Sequence, residues 1–258
     1  MGSTAITVNK LTKKFPGPGG EDEFTVLDSI SLEVERGKFA SIVGPSGCGK
    51  STLLNIVVGI ESLNSGSVEI NPNQSSQSPI PRIGYVFQSA RLLNWLTVKE
   101  NIEFALEAHK IPRKGWDGLV TKYLKMVGLE GQEQNYPLNL SGGMQQRVAI
   151  TRALAIEPDI LLMDEPFSHL DEITARKMRL DLVDILEKAG PTILFVTHDL
   201  REAIFLSNEI YMMTTRPARI FKHVYVDIPR PRKPEDPRIF ELEKELVREF
   251  FAVLEAQT

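Results

Sequence analysis

The 258-residue chain holds a single cysteine, Cys48, so it can close no disulfide within itself, and a reducing compartment suits it. Long apolar runs are missing too. None approaches the roughly 18 residues that cross a bilayer as a helix, so a membrane role is expected to come through a partner. The opening MGSTAITVNK lacks the apolar core of a secretory signal, and Ile6 stands where an N-myristoylation pattern has Ser or Thr. Excess positive charge is absent as well. With 30 Lys and Arg against 34 Asp and Glu, the net charge of −4 offers no electrostatic footprint for nucleic acid. What is present, 42% hydrophobic and 25% charged residues, is ordinary for a globular protein with one large or two small domains.

Alternation and β-branching mark AITVNKL and FTVLDSISLEVERG as strands around the loop PGPGGEDE. KFASIVG reads as a short buried strand entering a glycine-rich loop, and KSTLLNIVVGI as the helix after it. The turn NSG, the strand SVEI, a solvated loop NPNQSSQSPIP and the strand RIGYVFQ follow. From Ser89 to about Glu157 the periodicity is helical, in TVKENIEFALEAH, GLVTKYLKMVGL and a helix that starts at Ser141. Alternation then resumes with DILLMDEP, the helix EITARKMRLDLVDILEKAG, the strand TILFVTH, the helix DLREAIFLS and the strand EIYMMT. Buried apolar strands alternating with helices predict a parallel α/β sheet, interrupted by an inserted helical subdomain. IPRPRKPEDP breaks the pattern and leads to an amphipathic helix with Ile239, Leu242, Leu246, Phe250 and Val253 on one stripe. Packing on its own domain is the expectation for that helix, with a regulatory or dimer contact as the alternative.

Gly44-Pro45-Ser46-Gly47-Cys48-Gly49-Lys50-Ser51, followed by Thr52, fits G-x-x-x-x-G-K-[ST] between a strand and a helix. Such a loop curls backbone N–H groups around phosphates, Lys50 brings a point charge to them, and the Ser51 hydroxyl suits Mg²⁺. Asp164 and Glu165 close the apolar run ILLM, an expensive place for two carboxylates unless a metal and a reacting water are near. Asp164 is then the metal ligand and Glu165 the group that polarises water. His198 ends TILFVTH, and in a parallel sheet strand C-termini line the ligand crevice. It is expected to share that edge with Gly44 and Asp164 and to contact the γ-phosphate. Gln88 ends RIGYVF and is placed to reach Mg²⁺ or water. Phe15 either stacks on a nucleobase or belongs to the core. A second helix start, Ser141-Gly142-Gly143, also suits an anion. It has no task in a monomer, whereas in a head-to-tail dimer each would grip the γ-phosphate held by the other chain.

The ordered set of Walker A (Gly44–Thr52), Gln88, LSGGM, Walker B (Ile160–Asp164), Glu165, SHLD and His198 resembles the ATP-binding cassette (ABC) ATPases over about residues 5–228. The resemblance implies an α/β P-loop NTPase (RecA-like) core over 5–87 and 158–228, with an antiparallel β part and a helical subdomain over 88–157. It leaves 229–258 as a Pro-rich linker and amphipathic helix. It further implies two ATP molecules with Mg²⁺ in a dimer, Phe15 as the base-stacking aromatic, Ser51, Gln88 and Asp164 as metal ligands, and Ser168, His169, Leu170 and Asp171 as a loop crossing the dimer interface. Two positions depart from the family pattern. Met144 replaces the common Gln, with little loss expected. His169 stands where Ala is frequent, and either alters communication between the sites or merely packs.

VFQSARLLNWLTVKENI and TTRPARIFKHVYVDIPRPR are similar to ATPases of the nitrate/sulfonate/taurine/bicarbonate importer group. In that group the stretch Arg91 to Trp95 receives a helix of a membrane subunit, so Leu92, Leu93, Trp95 and Leu96 form either a docking patch or local packing. The resemblance thus implies an ATP-hydrolysing subunit of an importer, peripheral on the cytoplasmic face of the inner membrane. Its partners would be a second ATPase subunit (a homodimer or a closely related heterodimer), permease subunits and, through these, a substrate-binding protein. A soluble ABC ATPase of DNA repair or translation is the alternative. The chain has neither the long heptad insertions nor the paired cassettes of those relatives. A P-loop kinase would have no use for the second loop.

Overall fold

The structure, a computed structural model, describes residues 3–17, 19, 22–71, 80–168 and 170–255. The chain divides into two compact units, one of Met1–Asn71 with Thr192–Thr258, the other of Pro72–Pro191.

The first unit opens with β1 (Thr4–Pro16) and β2 (Glu23–Glu35), then β3 (Phe39–Val43), α1 (Lys50–Val57) and β4 (Ser65–Ile70). β1 pairs antiparallel with both β2 and β4. After residue 191 come β7 (Thr192–Thr197), α6 (Leu200–Leu206), β8 (Glu209–Met213), β9 (Ile220–Tyr225) and α7 (Pro237–Glu255). β3 lies between β7 and β8, parallel to each, and its five residues FASIV are all buried. That is why it reads as an uninterrupted apolar run rather than an alternation. β9 closes the edge antiparallel to β8. The strand pattern of the sequence does not announce it, because Lys222 and His223 give it the mixed polarity of a half-exposed edge.

The parallel register sets which residues leave the sheet together. Val43 is opposite Thr197 on one side and Met212 on the other, so Gly44 and His198 emerge from neighbouring strands at one C-terminal edge. α7 packs on α6. Ile239 and Leu246 are buried, and Leu242, Phe250 and Val253 half-buried, so the stripe packs on its own unit.

The second unit holds β5 (Ile83–Val86) and β6 (Ile160–Asp164), paired in parallel, with α2 (Val98–Ala108), α3 (Trp116–Met126), α4 (Gly142–Ala155) and α5 (Glu172–Ala189). α4 packs against α2, α3 and β5. Gly84 permits the last contact, since a Cβ there would lie 2.7 Å from the Ala153 carbonyl oxygen. α2 starts with a reciprocal cap: Thr97 Oγ1 accepts from the Glu100 amide at 3.2 Å and Glu100 Oε2 from the Thr97 amide at 2.7 Å. Residues 72–79 of the expected solvated loop (71–81) and the His169 position lie outside the described residues.

Candidate nucleotide site

The first unit carries Phe15, the glycine-rich loop and His198. The loop leaves β3 at Gly44, where a Cβ would stand 3.1 Å from both the Met213 carbonyl oxygen and Cys48 Sγ. Gly49 has φ +123°, and a Cβ there would meet Val26 and Leu27 side chains at 2.8 Å, so no other residue fits that turn. Gly49 caps α1 without a side-chain bond, so the positive end of the helix dipole lies at the loop. The Lys50 ammonium, only 4% exposed, donates to the carbonyl oxygens of Gly44 at 2.9 Å and Pro45 at 3.0 Å, folding the loop over its own charge. Ser46, Gly47 and Ser51 face outward, Pro45 and Thr52 are half-buried, and Cys48 points inward. Burial pushes the Cys48 thiol above its ordinary range, against the pull of Lys50. A glycine-rich turn at a helix start with a buried cation at its base suits a polyphosphate.

His198 is exposed at the end of β7, and its neighbours are fastened. Thr197 Oγ1 accepts from the Asp199 amide at 3.0 Å and donates to Glu202 Oε2 at 2.5 Å. Phe15 is half-buried, its ring 6.2 Å from that of Phe24, with the Lys13 ammonium 4.7 Å over it.

The second unit carries the remaining candidates, and it joins several of them. Asp164 ends β6 at 6% exposure, and Glu165 follows, half-buried with φ +41°. A non-glycine residue in the left-handed region is strained and persists where its surroundings hold it. Here they do. The Glu165 carbonyl oxygen accepts from both the amide and the hydroxyl of Ser168, at 3.2 and 3.0 Å, and Gln88 Nε2 donates to that same hydroxyl oxygen at 3.3 Å. Gln88, Ser168 and Glu165 are thus one hydrogen-bonded chain.

Ser141 caps α4, its Oγ accepting from the Met144 amide at 3.3 Å, with Gly142 exposed beside it. Gly143 is close-packed: a Cβ would lie 3.1 Å from Thr174 Cγ2 and 3.6 Å from Leu170 Cδ2. Asp171 caps α5 through the Thr174 amide at 3.0 Å, and that bond holds its carboxyl below the usual range. Two residues of α4 reach the loop around Gln88. Gln146 Nε2 donates to the Phe87 carbonyl at 3.2 Å, and Arg152 Nη1 and Nη2 donate to the carbonyls of Arg91 and Ala90 at 2.9 and 3.1 Å. Neither was a sequence candidate, although both lie on the helix that LSGG opens.

Beyond that loop Trp95 is 73% exposed, while Leu92, Leu93 and Leu96 are half-buried. The stretch is organised by Asn101, a fully buried side chain that sequence periodicity leaves unmarked. Its Oδ1 accepts from the Leu93 amide at 2.8 Å, and its Nδ2 donates to the carbonyls of Leu93, Leu96 and Thr97 at 3.1, 3.1 and 2.9 Å.

The profile described as ABC transporter matches residues 27–168. The chain is 40% identical over 248 residues to the aliphatic sulfonates import ATP-binding protein SsuB of Bacillus subtilis, covering 95% of this chain and 94% of that one. It is 41% identical over 252 residues to the bicarbonate transport ATP-binding protein CmpC of Synechococcus elongatus, covering 95% of this chain and 38% of that longer protein. A solved dimeric structure of an ATP-binding cassette, in a post-hydrolysis state bound to ADP and Pi, shares 31% identity at a TM-score of 0.74, over 87% of this chain and 100% of that one.

Proposed function

This chain belongs to the ABC transporter family, and from that premise we propose that it hydrolyses ATP to drive an importer of the nitrate/sulfonate/taurine/bicarbonate type. The observation that carries the ATPase reading is the phosphate cradle at the end of β3, with buried Lys50 tucked beneath its carbonyls. The loop of Gly44 to Thr52 holds the β- and γ-phosphates, and Lys50 balances their charge. Ser51, Gln88 and Asp164 offer a hydroxyl, an amide carbonyl and a carboxylate, an all-oxygen set that fits Mg²⁺; the ion would neutralise charge building on the phosphate oxygens. The Glu165 carboxylate orients water and takes its proton as the oxygen bonds to the γ-phosphorus and the bridging bond to ADP breaks. His198 donates to a γ-phosphate oxygen, and Phe15 stacks on the base.

The LSGG start supports a second copy. Ser141, Gly142 and Gly143 of one chain would close on the γ-phosphate of the other, with Ser168, Leu170 and Asp171, and His169 with them, at the seam. Permease subunits dock at Trp95 and its leucines, and a substrate-binding protein acts through them. Attachment is peripheral, on the cytoplasmic face of the inner membrane; among the described residues no helix is long and apolar enough to cross a membrane.

The test separates binding from turnover. Glu165→Gln keeps size and shape but removes the proton acceptor, so ATP should bind, turn over very slowly and drive dimer accumulation in size-exclusion chromatography. Loss of a charged hydrogen bond costs about 1.5–3 kcal/mol, roughly ten- to a hundredfold, so Ser141→Arg added to Glu165→Gln should abolish the ATP-induced dimer while nucleotide binding persists. A double variant that still dimerises with ATP refutes the grip in trans.

A further inference from the structure

α6, which follows His198 and Asp199, has seven residues, two turns, too few to be stable alone. It is fastened at both ends. At the first, Asp199 Oδ1 accepts from the Glu202 amide at 3.1 Å, and buried Thr197 and Glu202 share the 2.5 Å bond described above. These bonds tie the residues on either side of the imidazole to Glu202 of α6, so their placement depends on where that helix sits.

The second fastening comes from the Pro-Arg-Pro-Arg segment, far along the chain and beyond residues 27–168. Arg232 is 7% exposed, and its partners among the described residues are all carbonyl oxygens. Nη1 donates to Ile204 at 2.7 Å, Phe205 at 3.2 Å and Ser207 at 2.6 Å; Nε donates to Ile228 at 2.8 Å and Nη2 to Val226 at 3.2 Å. Arg230 Nη2 donates to the remaining carbonyl of that turn, Leu206. The carbonyls that a helix leaves unpaired at its C-terminal end are therefore taken by two guanidinium groups. A buried cation paired with carbonyls rather than a carboxylate belongs at the negative end of a helix dipole.

We propose that Arg232 is a positioning residue for His198: it locks the last turn of α6, and through that two-turn helix fixes where the imidazole stands at the end of β7. The inference rests on the catalytic reading of His198. Without the guanidinium, the last turn frays toward Asp199, and the imidazole samples positions off the γ-phosphate while the nucleotide cradle stays whole.

Four full-length variants test this by steady-state ATPase assay: Arg232→Met, Arg232→Lys, His198→Ala, and His198→Ala with Arg232→Met. Small misplacements of a reacting group are costly, so Arg232→Met should lower kcat about tenfold with KM for ATP little changed. Arg232→Lys, which keeps the charge but not the fork, should recover part of the loss. On the His198→Ala background Arg232→Met should lower kcat no further. Unchanged kcat in folded Arg232→Met, or independent multiplication of the two losses, overturns the proposal. If Arg232→Met does not fold, hydrogen exchange at the 198 and 199 amides of Arg232→Lys decides: faster exchange than in the wild type supports the proposal, and equal exchange overturns it. A wild-type kcat in His198→Ala would instead sink the catalytic reading of the histidine, and the exchange measurement still judges the positioning.

Discussion

Cys48 shows how one residue can sit in a reactive motif and still be quiet. It lies between two glycines of the phosphate loop, yet its side chain is 2% exposed and burial holds the thiol above its ordinary range. The thiolate is the nucleophile, so a raised thiol is less reactive at neutral pH and gains reactivity as pH climbs through that raised value. Iodoacetamide should therefore label the native chain slowly at pH 7 and faster as the pH is raised, with Mg-ATP slowing it throughout. Mass spectrometry of the single cysteine reads this directly. Rapid labelling at pH 7 would contradict the inward placement, and equal rates with and without nucleotide would contradict protection of the loop by ATP. Glu165 makes the complementary point: its φ of +41° is held by Ser168, which in turn is held by Gln88. A strained residue there is one whose backbone has been fixed in advance.

Among elements, α2 shows that a buried polar side chain can matter more than an apolar stripe. Asn101 makes four hydrogen bonds to the 93–97 turn. Asn101→Ala would leave a buried amide and carbonyls without partners, so a loss of about 2–3 kcal/mol is expected in denaturant unfolding. Transport supported by reconstituted permease should fall more than the ATPase rate of the chain alone, because the turn carries Trp95. Residues of this kind mark the limit of what the sequence discloses. FASIV, ILLMD and TILFVT are legible as strands because every residue in them is buried, and the loop from Gly44 to Ser51 is legible because its chemistry demands those residues at that spacing. Asn101, Gln146 and Arg232 are not. Periodicity assigns a polar side chain to solvent, and only tertiary contact shows that its partners are carbonyls inside the protein. β9 escapes for a related reason, since an edge strand with one wet face keeps too little hydrophobic alternation to stand out.

At the scale of the whole molecule, the proposed docking of permease subunits at Trp95 makes membrane attachment depend on company. On that proposal the chain expressed alone is expected in the supernatant of a membrane fractionation; co-expressed with the proposed permease subunits, it should sediment. Pelleting of the lone protein that resists high salt and carbonate would contradict this. The ties from α4 to the loop around Gln88, through Gln146 and Arg152, carry a consequence for two copies working together. On the proposed assembly, the start of α4 serves the neighbour's nucleotide while Gln88 serves the chain's own. Tied together by those bonds, the two proposed duties would be performed together. Each copy would let go of its neighbour only on the beat at which its own site resets, so the pair keeps a single clock.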